Sequence, residues 1–74
     1  MPMTEKEWES RVKSTLKAEL ARREISYSAL VIKLYDIGVT ESEASIKNKV
    51  SRGRFSAIFF FQCMEAIGVR ALQL

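Results

Sequence analysis

Glu41-Ser42-Glu43-Ala44-Ser45-Ile46-Lys47-Asn48-Lys49-Val50-Ser51-Arg52-Gly53-Arg54 contains only two strongly apolar residues, Ile46 and Val50, spaced four apart. On a helix that spacing stacks both on one side. At 3.6 residues per turn, Ala44, Ser45, Asn48, Ser51 and Arg52 fall on the opposite side, with Lys47 and Lys49 on the flanks. From Lys47 to Arg54 there are four cations and no acid. Small side chains let a helix backbone approach another surface closely. Asn and Arg offer donors that match base edges, and flanking Lys residues suit phosphates. This is the make-up of a helix that lies in a groove. A solvated helix held on a small bundle by two residues is the plainer account of the same pattern.

Upstream, Thr4 and Glu7 form a capping box. Trp8, Val12, Leu16 and Leu20 then recur every four residues, which predicts an amphipathic helix to about residue 23 with Trp8 as a core anchor. Its other face mixes Lys6, Arg11, Lys13 and Lys17 with Glu9 and Glu19, a composition expected of a solvated surface. Ser26 caps a second helix whose stripe is Tyr27, Leu30, Val31, Leu34 and Ile37, and Gly38 ends it. Val39 is expected to turn inward, and Thr40 or Ser42 to cap the third helix, which Gly53 stops.

Ser56 starts a fourth segment, Ala57 to Ile67, that is apolar at nearly every position. Its length, Ser start and Gly68 stop favour a helix over a buried strand. Phe59 or Phe60, with Cys63, Met64 and Ile67, would cover the core, leaving Ile58 and Phe61 outside it. Either the tail, with Leu72 and Leu74, folds back over them, or Ile58, Phe61 and Leu72 form a homodimer interface. The chain therefore reads as one all-α domain over residues 1–74, a compact bundle of four to five helices at about 5–23, 27–37, 42–52 and 57–67.

Composition narrows the function. Seventy-four residues allow a modest core and a binding surface, with little room for an enclosed catalytic pocket. There is no histidine and one cysteine, which removes disulfide frameworks within the chain, His/Cys zinc sites and Ser-His-Asp or Cys-His catalysis. No enzyme activity, cofactor, metal or small-molecule substrate is expected. A net charge of +3 favours a polyanionic partner. No apolar run reaches membrane-span length, and Met1 to Glu7 lacks the apolar core of a signal peptide. The expected compartment is the cytoplasm.

The order of elements, with Val50-Ser51-Arg52-Gly53-Arg54 and Phe60-x-x-Cys63-Met64-x-x-Ile67-Gly68-Val69, resembles the helix-turn-helix domains of the lambda repressor and Cro class. From Trp8 to Val69 the chain also resembles a family of small, mostly bacterial domains of unknown function. Lys17-Ala18-Glu19-Leu20 and the Phe59–Cys63 stretch carry that second likeness. The first resemblance implies a transcriptional regulator that binds double-stranded DNA, with helix 42–52 in the major groove. Ser45, Asn48, Ser51 and Arg52 would then face bases, and Lys47, Lys49 and Arg54 would hold phosphates, with Lys33 a further candidate. Ser26, Tyr27 and Ser28 stand where the class often has a phosphate-touching Gln. Two features depart from the class: the span from Gly38 to Gly53 is longer by most of a helical turn, and Glu41 and Glu43 would repel phosphate unless turned aside. A protein-interaction module that works through the apolar 57–67 surface, without DNA, is the alternative.

Overall fold

In the computed structural model, which describes residues 1–72, the chain forms four helices: α1 (Glu5–Arg22), α2 (Tyr27–Asp36), α3 (Glu43–Arg52) and α4 (Ala57–Ile67). All four start the same way. The hydroxyls of Thr4, Ser26, Ser42 and Ser56 accept from the backbone N–H groups of Glu7, Ala29, Ser45 and Phe59. Each cap satisfies an orphan donor and contributes about 1 kcal/mol. Thr4 and Glu7 complete the box reciprocally, the Thr4 N–H donating to Glu7 Oε1 at 2.8 Å. No helix among the described residues is long and apolar enough to cross a membrane.

Three of the four helices also stop alike. Ile25, Val39 and Val69 each return a backbone N–H to a carbonyl five residues earlier, on Leu20, Leu34 and Met64, all at 2.9 Å. The residue just before each returning one has a positive φ: Glu24, Gly38 and Gly68. Each returning hydrophobe then packs against the core. Among the described residues α3 lacks this closure. Its end is fastened instead by the Lys13 ammonium, which donates to the Ser51 carbonyl at 3.2 Å.

Leu16, Leu20, Leu30, Leu34, Ile46, Val50, Phe59, Cys63, Met64 and Ile67 make the core. Both apolar residues of α3 are in it, as their spacing predicts. Helix α2 packs on α4 and α3, while α1 packs on α3. The buried positions of α1 are confined to Leu16, Glu19 and Leu20, so its amino-terminal half runs past the core.

Three sequence expectations are corrected, the first of them by that overrun. Trp8 is no core anchor but 51% exposed, and Val12 is only partly covered. Glu19, expected on a solvated face, is buried, and its carboxylate accepts from Arg22 at 2.9 Å and Arg23 at 2.5 Å. Ile37, at the end of α2, stays exposed where the stripe placed it inside. Leu74, offered as a cover for α4, lies outside the described residues.

At Gly53, the C-cap of α3, the backbone of α1 comes close. The Gly53 φ is +66°, and a Cβ there would sit 2.7 Å from the backbone oxygen of Glu9 in α1. Gly38, at φ +86°, has nothing within 4 Å of the same position. Gly38→Ala should therefore cost only the left-handed backbone penalty, about 1–2 kcal/mol. Gly53→Ala should cost roughly 1–3 kcal/mol more, because α1 backbone must move. Thermal unfolding of the two variants checks the difference. Equal losses would mean that α1 does not press on Gly53.

Candidate nucleic-acid interface

Helix α3 has two unlike flanks. On the flank towards α1, an open notch of about 460 Å³ is lined by Lys13 and Lys17 of α1, Tyr27 of α2, and Lys47, Asn48, Val50 and Ser51 of α3. No acid lines it. Lys17 and Lys47 make no ion pair among the described residues. A shallower cleft that shares Lys17 and Tyr27 continues the surface to Ser26. Ser26 and Ser28 hold each other's hydroxyls at 3.0 Å while Ser26 caps α2.

The opposite flank is neutralised. Glu41, on the turn before α3, accepts from Ser45 Oγ at 2.8 Å and from Lys49 Nζ at 2.5 Å. The Lys49 ammonium also lies 4.6 Å from the centre of the Phe59 ring, a cation–π placement that holds it against α4. Burial of Glu41 opposes its ionisation and is the largest single influence. The bonds from Lys49 and Ser45 and the Lys49 charge together outweigh it, and the carboxyl titrates below its ordinary 4.5. Glu41 is thus turned aside from the outward face. Behind it, burial first and the Glu41 charge second push the Cys63 thiol up to about 12, which leaves a protonated core side chain.

The site residues expected from sequence are therefore only partly brought together. Tyr27, Lys47, Asn48 and Ser51 share the notch, and Ser26 adjoins it. Arg52 is exposed at the end of α3 and makes no ion pair among the described residues. Ser45 and Lys49 are engaged with Glu41 on the other flank, and Arg54 Nε is bonded to the Glu9 carboxylate. Lys13 and Lys17 were read as part of a solvated face. Their spacing of four, on the side of α1 away from Trp8 and Val12, is the only signal the sequence held, and it does not say which helix they meet.

The apolar residues outside the core form two separate grooves. Ile58 and Phe61, each about 70% exposed, line one with Ile37 and Val39. Leu72 is not on that face: it lines the other groove, with Trp8, Val12, Phe55 and Phe60. The structure does not unite Ile58, Phe61 and Leu72 in one patch.

The chain matches the family described as Domain of unknown function (DUF6471) over residues 8–72 and belongs to it. That agrees with the resemblance to small domains without an assigned activity, and no helix-turn-helix family matches beside it. No curated protein and no solved structure matches the chain.

The Glu41 arrangement has a pH signature. The folded state holds the Glu41 proton less tightly than the unfolded chain does. Its stabilising contribution is therefore complete well above pH 4.5 and is lost as pH falls through the depressed value. Glu41→Gln should cost about 1 kcal/mol at neutral pH and much less at about pH 3. Urea unfolding of wild type and variant at both pH values measures this. An undiminished difference in acid would show that the charge on Glu41 is not what matters.

Proposed function

We propose that the protein binds double-stranded DNA with α3 in the major groove and works as a small transcriptional regulator. The observation that carries this reading is the outward face of α3. Ala44, Asn48, Ser51 and Arg52 are exposed there, and the neighbouring Glu41 is folded away onto Lys49 and Ser45. A helix with its side chains is about 10–12 Å across, which suits a groove about 12 Å wide. The sequence of α2, a short turn and α3 resembles the helix-turn-helix unit of the lambda repressor and Cro class. In this reading Asn48 reads an adenine edge, and Arg52 a guanine or a phosphate. Ser51 makes a close contact, and Ser45 contributes its small size, its hydroxyl being given to Glu41. Lys47 holds a phosphate, while Lys49 and Arg54 reach one only by leaving their acids. A cytoplasmic site of action goes with this function.

One domain with this few cations binds weakly, so two copies on half-sites roughly 34 Å apart fit the reading. Ile58 and Phe61 are the candidates for joining them. The same exposed pair supports the second reading, a protein-interaction module that does not touch DNA.

Fluorescence anisotropy with random duplex DNA at about 50 and about 200 mM salt separates the two. Phosphate contacts by Lys47 and Arg52 alone predict a loss of about tenfold or more over that range. Asn48→Ala/Arg52→Ala should then lower preference for selected sites by about 1–3 kcal/mol per lost base contact. Absence of binding at low salt up to about 10⁻⁴ M protein would sink the DNA reading in favour of the interaction module.

A further inference from the structure

We propose that α1 is a second DNA-contacting element, and that Lys13 and Lys17 hold phosphates of one strand in the notch beside α3. This rests on the reading that α3 faces a duplex, and it adds where the backbone of that duplex runs.

The notch brings together cations from two helices that are far apart in sequence, Lys13 and Lys17 from α1 and Lys47 from α3, with no acid in its walls. Lys13 is positioned rather than free to sweep, since it donates to the Ser51 carbonyl at 3.2 Å. That bond takes one of three ammonium hydrogens and leaves two for a phosphate. Lys17 stands one turn on along the same face, about 6 Å away by helical rise. A DNA strand carries one charge per about 3.4 Å of axis, so the pair spans roughly two successive phosphates. Asn48 and Ser51 share the notch with these lysines, so a strand held there brings base edges against the outward face of α3.

The other flank of α3 cannot do the same. Its one lysine, Lys49, is bound to Glu41 and held over Phe59. The grip is therefore one-sided, strong towards α1 and weak towards α4.

The test compares salt slopes of the whole chain on random duplex DNA between about 50 and about 200 mM salt. Each phosphate contact contributes about 0.9 to the slope of log K against log salt. Lys13→Gln/Lys17→Gln should flatten the slope by roughly 1.8 relative to wild type. Arg70→Gln removes one charge from a residue outside the notch and should leave the slope unchanged. Because Lys13 also fastens the end of α3, Lys17→Gln alone supplies the second check. It has no bond to lose among the described residues, and should flatten the slope by roughly 0.9. Slopes for the notch variants equal to that of Arg70→Gln would overturn the clamp while leaving α3 in its groove. A wild-type chain with no salt-dependent binding would overturn the clamp and the DNA reading together.

Discussion

The placement of α1 against the end of α3 depends on a close backbone approach, Glu9 against Gly53. The amino-terminal half of α1 has no fully buried side chain to hold it, because its buried positions begin at Leu16. Trp8 and Val12 share a groove with Phe55, Phe60 and Leu72, and two polar bonds add to this, Lys13 on the Ser51 carbonyl and Arg54 on the Glu9 carboxylate. Exposed pairs of this kind contribute little, about 0–1 kcal/mol each. They orient α1 only because the missing side chain at Gly53 lets the two backbones meet first. Gly53 thus has two tasks, to end α3 in a left-handed turn and to leave room for α1.

That contact also decides what the end of α3 can do. The other three helices close their carboxyl ends with backbone bonds and a returning hydrophobe. Helix α3 closes with a lysine from a neighbour, a cation at the negative end of a helix dipole. The result is a helix with an exposed acid, Glu43, in its first turn, one flank where Lys49 is neutralised by Glu41, and cations along the notch that meets α1.

The local devices were legible in the sequence because each is written within a few residues. Thr4, Ser26, Ser42 and Ser56 cap by bonding three residues on, and Gly38, Gly53 and Gly68 stop helices at the chain positions where a left-handed turn is needed. Ile46 and Val50 gave the buried side of α3. Trp8 was misread because periodicity shows which side of α1 is apolar, not how far the bundle extends beneath it. Glu19 was misread for the converse reason: its burial depends on Arg22 and Arg23 folding back over it. Lys49 lies at the edge between the outward face and the core, and a helical wheel cannot say that an acid on the preceding turn will take it inward. Lys13 and Lys17 were invisible as site residues because their neighbour, α3, is far along the chain, with Ser51 38 residues from Lys13.

The same distances explain why a net charge of +3 understates what the notch can attract. Of nine acids, Glu9, Glu19 and Glu41 are committed to four cations, Arg54, Arg22 with Arg23, and Lys49, and none of these seven residues lines the notch. Exposed charges more than about 10 Å apart scarcely interact at 0.1 M salt, and of the remaining acids Glu43 stands one helical turn before Lys47. Glu65 on α4 lines the groove beside Ile58 and Phe61, not the notch. A polyanion at the notch therefore meets Lys13, Lys17 and Lys47 as a local cluster. The sign of this surface is set by which acids were consumed in holding the fold, and the count of charges along the chain does not record that.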